Sequence, residues 1–196
     1  LKAVEVEYRG MLREPWYHLK ITNLETLGMF ANMFRGWFSE TSSNYKGFMK
    51  ALLSDDRKAM NYYMNKVSLA TFSYFDVGRE PSKETEPERF YHGFVLGLIA
   101  EQAENYDVRS NRESGFGRYD VMMIPKKDST GHLPAVIMEF KVHDRDSEKT
   151  LEDTVQSALD QIEEKQYERE LLERGIPSDR IRKYGFAFEG KKVLIG

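Results

Sequence analysis

The stretch that decides the fold of this chain reads Gly115-Phe-Gly-Arg-Tyr-Asp-Val-Met-Met-Ile-Pro125, then a polar segment at 126–132, then Leu133-Pro-Ala-Val-Ile-Met-Glu-Phe-Lys-Val142. The two outer runs are apolar and contain many residues that favour strands. The segment between them holds Lys, Asp, Ser, Thr and Gly. Apolar runs on either side of such a turn are typical of two neighbouring strands.

Each of these strands carries ionisable residues where a core strand normally has apolar ones. Asp120 lies near the start of the first run, and Glu139 and Lys141 lie near the end of the second. Because strand side chains alternate between faces, Glu139 and Lys141 point to one side and Phe140 to the other. If the strands pair antiparallel, Asp120 falls close to Glu139.

This arrangement predicts a site for a divalent cation. Two neighbouring carboxylates repel each other, and burial disfavours their charged forms. Mg²⁺ prefers one or two carboxylates together with water and phosphate oxygens, so it relieves the repulsion. Lys141 is then placed to contact a water or a phosphate oxygen at the ion.

Composition limits the classes of protein to which the chain can belong. Its 196 residues are long enough for one good core, or for one domain with a smaller helical appendage. The net charge of -3 argues against a broad basic surface for nucleic acid and leaves room for a local basic groove. The absence of cysteine excludes disulfides, thiol nucleophiles and cysteine metal sites. It also fits a cytoplasmic location.

The apolar runs are too short to span a bilayer, and no secretory leader opens the sequence, so we expect no contact with a membrane. Because the chain begins at Leu1 rather than at Met, we expect it to be a piece of a longer protein. The oligomeric state is not predictable from the sequence.

Residues 1–86 are predicted to form a small helical unit that precedes the main domain. Weak strand candidates lie at Val4–Tyr8 and Trp16–Ile21. Apolar and aromatic residues then recur at helical spacing, which indicates packing surfaces rather than a cofactor site. The predicted helices are Asn23–Phe38, Tyr45–Leu53 and a third that begins after Ser54.

Residues 87–196 are predicted to form an α/β domain with the order helix, three strands, long helix, strand pair. The first helix starts at Pro87, a favourable position for proline. A polar loop is expected at Asn111–Gly115, and Gly175 with Pro177 ends the long helix. The elements not yet named are a strand at Tyr106–Ser110, the long helix at Thr150–Arg174, and a closing hairpin of Tyr184–Phe188 and Lys191–Ile195.

Three side chains on the helices are candidates for the same site. Glu88 and His92 lie four residues apart, hence on one face of the first helix. Glu88 also suits a helix start, and His92 also suits a hydrogen-bonded core position. Gln161 lies beside the apolar stripe of the long helix, where its amide can reach the charged cluster. The other histidines, His18, His132 and His143, are expected at the surface.

Four blocks of the sequence resemble the PD-(D/E)xK nuclease superfamily, which has a restriction-endonuclease-like core. More closely, they resemble the nuclease domain at the C-terminal end of bacterial AAA-ATPase-like proteins. The resemblance covers Pro87 to Gly196 and extends more weakly to the preceding helices, which would connect ATPase and nuclease. The blocks are Glu88–Phe94, Ser110–Asp120, Glu139–Lys141 and Ala158–Tyr167.

The resemblance implies a role for each matching residue. Asp120, Glu139 and the backbone carbonyl of Phe140 would bind Mg²⁺ or Mn²⁺. Lys141 would orient the attacking water or stabilise charge on the phosphate. Glu88, or His92 in its place, would act at the metal, and Gln161 fills the polar position of the later helix. Tyr119 stands where the family name has proline.

The function implied is metal-dependent hydrolysis of phosphodiester bonds, with DNA as the substrate and an ATPase portion missing from this chain. Arg109, Arg112 and Arg118 are candidates for phosphate contacts, and surface salt bridges are an equally good interpretation of them. Two alternatives stay open. The chain could be a non-catalytic module that binds DNA or its own ATPase portion, or the three charged residues could form a salt-bridged strand pair near solvent.

Overall fold

The computed structural model describes residues 2–9, 14–20, 42–71, 86–126 and 133–196. The chain divides into two compact units, 1–42 and 43–196. In the first, strands β1 (Lys2–Arg9) and β2 (Glu14–Lys20) pair antiparallel, with a register shift between Ala3 and Glu5. Both strand predictions for this region are confirmed. The predicted helix at 23–38 lies outside the described residues.

The second unit is an α/β domain built on one five-stranded sheet. Its helices are α1 (Ser42–Ser54), α2 (Arg57–Thr71), α3 (Glu86–Ile99), α4 (Leu151–Glu164) and the short α5 (Arg169–Glu173). Short 3-10 turns follow α3 and precede β6. Its strands are β3 (Tyr106–Ser114), β4 (Gly117–Pro125), β5 (Ala135–Val142), β6 (Ile181–Glu189) and β7 (Lys192–Ile195).

The strands lie in the sheet in the order of the sequence, β3-β4-β5-β6-β7. All neighbours are antiparallel except β5 and β6, which are parallel and are connected through α4. A parallel pair requires such a crossover connection. Helices α3 and α4 cover opposite faces of the sheet, and the predicted α/β, restriction-endonuclease-like architecture is confirmed.

Two boundaries differ from the sequence prediction. The expected loop at Asn111–Gly115 is mostly strand, because β3 continues to Ser114 and a two-residue turn with Gly115 at φ 60° joins it to β4. The expected single helix at Thr150–Arg174 is broken between α4 and α5, where Gln166 adopts a left-handed conformation (φ 53°). The helix break involves neither proline nor glycine, which are the residues that mark such sites in a sequence.

A capping box fixes the start of α4. The Thr150 hydroxyl accepts a hydrogen bond from the Asp153 backbone N–H, and the Asp153 carboxylate accepts one from the Thr150 N–H (2.9 Å). Such reciprocal bonds satisfy backbone donors that a helix start otherwise leaves unpaired. The buried residues of the helix then face the sheet: Thr154, Val155, Ala158 and Ile162.

Helix α2 covers the edge strand β7 with two asparagine amides. Asn61 exchanges hydrogen bonds with the backbone of Ile195 (2.7 and 2.8 Å), and Asn65 does the same with Val193 (2.7 and 3.0 Å). The amides take the place of a neighbouring strand and protect the sheet edge from pairing with another chain. This packing joins residues 43–71 to the sheet, and the domain boundary at 86/87 stays a prediction. In the described ranges, no helix has the length and apolarity to cross a bilayer.

Candidate active site

Asp120 and Glu139 come together where the pairing of β4 and β5 ends. The ladder runs from Met123↔Val136 to Val121↔Met138, so the next residues along the two strands are Asp120 and Glu139. The Asp120 carboxylate accepts a hydrogen bond from the Phe140 backbone N–H (2.8 Å). Where the two strands separate, the Asp120 carboxylate therefore accepts the hydrogen bond that a backbone carbonyl of β4 would accept in a continued ladder.

The two carboxylates differ in exposure. Glu139 is buried, with 3% of its surface exposed, whereas Asp120 is half-buried. Burial raises the pKa of the Asp120 carboxyl, against the opposing effects of the Phe140 N–H and the Lys141 charge. The burial of Glu139 argues against the interpretation of the cluster as a salt-bridged strand pair near solvent.

The Gln161 amide links Glu139 to Lys141. Its N–H donates to Glu139 Oε1, and its oxygen accepts from Lys141 Nζ (2.7 Å). Glu139 and Lys141 thus lie on the face of β5 that α4 covers, as strand alternation requires. One amide binding both groups fixes the positions of an acid and a cation relative to each other.

Gly185 lets α4 approach the sheet beside this cluster. It is the strand partner of Glu139 on β6, and a Cβ atom at this position would lie 2.7 Å from the Val155 carbonyl oxygen and 3.1 Å from the Ala158 Cβ. Real Cβ atoms do not approach a backbone oxygen so closely. The glycine therefore sets the distance from α4 to the sheet, and with it the reach of Gln161.

Tyr167 belongs to the same network and was given no role from the sequence. Its buried hydroxyl accepts a hydrogen bond from the Gln161 amide (3.1 Å) and donates one to the Arg118 carbonyl (2.7 Å). Burial raises the pKa of this phenol, the Gln161 bond lowers it, and the charges of Glu139 and Asp120 raise it further. Tyr167 ties the cluster to β4 two residues before Asp120.

Residues 86–196, more than half of the chain, match the sequence profile of a family described as the PD-(D/E)XK nuclease superfamily. The chain belongs to this superfamily. No curated protein and no solved structure matches it. Members of the PD-(D/E)XK superfamily usually hydrolyse phosphodiester bonds and typically use divalent metal ions, so the match indicates a nuclease-type function for the α/β domain.

The oxygen donors at the cluster suit such an ion. Asp120 and Glu139 offer carboxylate oxygens from adjacent strands, and hard cations such as Mg²⁺ prefer oxygen and need only one or two carboxylates from the protein. Among the described side chains, no group of three or more His, Asp or Glu residues is arranged to hold a metal. A metal bound by Asp120 and Glu139 alone among these residues would take its remaining ligands from backbone, water and substrate.

The other residues predicted for a PD-(D/E)XK site are not all brought to the cluster. His92 lies on the opposite face of the sheet, against the Phe140 ring (5.6 Å between centroids), where its ring nitrogens contact Ser110 (2.9 Å) and Asn111 (3.3 Å). Glu88 lies in α3 and Arg112 in β3, and their side chains are outside the described part of the chain.

The two remaining arginines differ in their contacts. Arg109 is 18% exposed and is held by Asp107 (2.7 Å) and by Glu170 of α5. These ion pairs agree with the structural interpretation of Arg109. Arg118 is exposed and makes no ion pair with a described side chain.

His143 was expected at the surface, and this expectation is wrong. It is 8% exposed and lies one residue beyond β5, on the same side of the sheet as Glu139 and Lys141. Its Nδ1 atom contacts the Thr154 hydroxyl (2.8 Å) and the Glu148 carboxylate (3.3 Å), and the Thr154 hydroxyl also donates to Glu148 (2.5 Å). The residue sits beyond the end of the predicted strand pattern, and its partners come from the loop and helix that follow.

Proposed function

We propose that this chain is a divalent-metal-dependent nuclease that hydrolyses phosphodiester bonds of DNA. The observation that carries the proposal is the Gln161 amide, which binds Glu139 and Lys141 at once beside the point where Asp120 accepts the Phe140 N–H. A member of a nuclease superfamily that has lost its activity has no need to hold these groups in register.

Asp120, Glu139 and the Phe140 carbonyl are the proposed metal ligands, with Glu88 acting through the metal or a water. The Phe140 N–H fixes the Asp120 carboxylate, and Gln161 fixes that of Glu139. Mg²⁺ or Mn²⁺, when bound, supplies Lewis-acid activation of the phosphodiester and of water.

Lys141 is the proposed catalytic cation. Its ammonium group would donate a hydrogen bond to the attacking water or to a non-bridging phosphate oxygen, where negative charge develops. Gln161 accepts from the same ammonium and so orients it (2.7 Å). Arg118, and with it Arg112, would contact phosphates that flank the scissile bond. Arg109 is a weaker candidate because Asp107 and Glu170 already neutralise it.

The test is incubation with linear, circular, branched and single-stranded DNA, with and without Mg²⁺ or Mn²⁺. We expect cleavage that requires the metal and falls by about 10² to 10³ in the Lys141→Ala variant. Lys183→Ala is the matched control, since Lys183 is a partly buried lysine that is ion-paired to Glu163 (2.8 Å) and Glu168 (2.7 Å). Cleavage that persists in Lys141→Ala would show that the activity comes from elsewhere.

Metal binding is tested separately from cleavage. We expect Mn²⁺ to bind the wild-type protein more tightly than the Asp120→Ala variant, as measured by calorimetric titration. Equal uptake of Mn²⁺ by both proteins would mean that Asp120 is not a ligand.

A second candidate is a non-catalytic nuclease-fold module that binds DNA or an ATPase portion of a longer chain in the cytoplasm. It requires the nuclease fold that the family match indicates but no metal ion at Asp120 and Glu139. DNA binding without cleavage under any metal condition, unchanged in Lys141→Ala, would support this candidate over the enzyme.

A further inference from the structure

The turn between β3 and β4 carries an exposed aromatic ring close to the cluster. Phe116 is 68% exposed, more than any other large apolar side chain in the described part of the chain. Single exposed apolar residues are common on protein surfaces, so exposure by itself carries no inference. The inference rests instead on the fixed backbone of the turn and on the charged side chains near it.

The backbone of the turn is fixed against the segment that joins α4 to α5. The Phe116 N–H donates to the Lys165 carbonyl (2.8 Å). A Cβ atom on Gly115 would lie 2.1 Å from that same oxygen, and one on Gly117 would lie 3.1 Å from the Lys165 side chain. The two glycines let the turn lie directly on this segment, with the Phe116 side chain exposed between them. The backbone around Phe116 is therefore fixed, and a ligand that contacts the ring needs to order only the torsions of its side chain.

Two exposed cations lie at the turn. Arg118 and Lys165 are both exposed, and neither forms a salt bridge with a described side chain. The cations around α5, by contrast, form ion pairs with nearby glutamates. The pairs are Arg109 and Arg174 with Glu170, Arg169 with Glu173, and Lys183 with Glu163 and Glu168. At the turn, the described side chains therefore offer no counter-ion to Arg118 or Lys165.

The turn and the cluster lie along one strand. Arg118 and Asp120 are two residues apart on β4, about 7 Å along the strand, and Phe116 lies in the turn directly before this strand. The Tyr167 hydroxyl connects the Arg118 carbonyl to Gln161 (2.7 and 3.1 Å). A strand of nucleic acid at Asp120 that runs along β4 would pass both cations and reach the ring.

We propose that Phe116 stacks on an unpaired base of the DNA substrate while Arg118 and Lys165 contact phosphates on either side. The substrate is then single-stranded DNA, or DNA that is unpaired a few nucleotides from the cut. Aromatic stacking tolerates any base, because every base has a π-face, whereas bases inside a duplex are covered by their neighbours. This inference rests on the proposed function for the identity of the ligand.

The experiment measures binding without cleavage, in EDTA, using a short single strand that carries 2-aminopurine and a duplex of the same length. Phe116→Ala should weaken binding of the single strand about 5- to 150-fold and remove the quenching of 2-aminopurine. Phe116→Tyr should restore both. Leu172→Ala, which removes another exposed apolar side chain (44% exposed), is the matched control and should bind like wild type.

Salt dependence separates the ring from the cations. Arg118→Gln with Lys165→Gln should reduce the slope of log affinity against log salt by about 1.4, since each phosphate contact on a single strand contributes about 0.7. Phe116→Ala should leave this slope unchanged. An unchanged slope in the double variant would overturn the assignment of these cations.

The inference is overturned if Phe116→Ala binds the single strand like wild type, if Phe116→Leu restores binding as well as Phe116→Tyr, or if wild type does not bind the single strand. Cleavage assays keep the two proposals apart. A wild-type protein that cleaves DNA with no dependence on Phe116 contradicts only the stacking. Stacking that depends on Phe116 in a protein that cleaves nothing supports the inference and contradicts only the proposed nuclease activity.

Discussion

The two faces of β5 differ in chemistry although they alternate along one strand. Glu139, Lys141 and His143 face α4, where polar side chains of that helix bind them. On the other face, Phe140 packs against Phe186 (5.2 Å between centroids) and Phe188 (6.2 Å). One face holds the groups proposed for catalysis, and the other holds an aromatic core beneath α3.

The comparison shows how the fold supports an energetically costly cluster of charges. The aromatic face contributes burial free energy, while the polar face requires that each buried polar group find a partner. Phe140 connects the two, because its ring is fully buried on one face and its N–H holds Asp120 at the other. Changes on the two faces should therefore have separable effects on stability and activity.

The largest effect is expected for Phe140→Ala, which should lower the free energy of unfolding by about 3–5 kcal/mol through loss of burial and a cavity. Urea denaturation followed by circular dichroism measures it. The control is Phe116→Ala, the same chemical change at an exposed ring, which should stay within about 0.5 kcal/mol of wild type. Equal losses in the two variants would mean that the core is not where we place it.

The sequence predicts the difference between the two faces of β5 well, because this difference depends on local rules. Strand alternation alone assigns Glu139 and Lys141 to one face and Phe140 to the other, and antiparallel pairing brings Asp120 beside Glu139. The position of Gln161 follows from the apolar stripe of α4 with similar directness. These arguments need only the period of the element and the order of the chain.

Contacts between distant elements could not be predicted in this way. Tyr167 reaches the Arg118 carbonyl only because the helix breaks after Glu164, where Gln166 adopts a left-handed conformation that few non-glycine residues signal. Glu170 neutralises Arg109 across 61 positions of sequence. The ion pair of Arg109 with Asp107 could have been predicted from the sequence, because residues two apart on a strand share a face.

The next effect tests the spacing between the polar face and α4. Gly185→Ala should cost about 1–3 kcal/mol of stability, because its Cβ would meet the Val155 carbonyl oxygen at 2.7 Å. It should also lower cleavage by moving Gln161 away from Glu139 and Lys141. Gly93→Ala is the control: its Cβ would have open space in the interior of α3, so it should stabilise by about 0.5–1 kcal/mol. Thermal unfolding and a cleavage assay on both variants measure these effects. A Gly185→Ala variant with the stability and cleavage of wild type would contradict the close approach of α4.

A smaller effect is expected for Tyr167→Phe, which should cost about 1–2 kcal/mol because the Arg118 carbonyl loses its hydrogen bond. Cleavage should also fall, since Gln161 loses one of its anchors. Tyr106→Phe is the matched control, as its buried hydroxyl donates to the Pro134 carbonyl (3.0 Å) away from the cluster. It should lose similar stability with no change in cleavage. If both variants cleave like wild type, Tyr167 has a structural role only.

The smallest effect concerns the charge of Asp120. Burial raises its pKa in the folded protein above the ordinary value of 3.8, so the folded state holds this proton at a pH where the unfolded chain has released it. Without metal, the stability of wild type relative to Asp120→Asn should therefore fall as pH rises from about 4 through the raised pKa. Urea titrations in EDTA at several pH values measure the difference.

Excess Mg²⁺ should reverse the trend, because the ion binds the ionised carboxylate and the asparagine offers it no charge. A difference that is flat with pH in EDTA would mean that the Phe140 N–H and Lys141 fully offset the burial of Asp120, so that a bound cation would relieve no desolvation cost at this carboxylate.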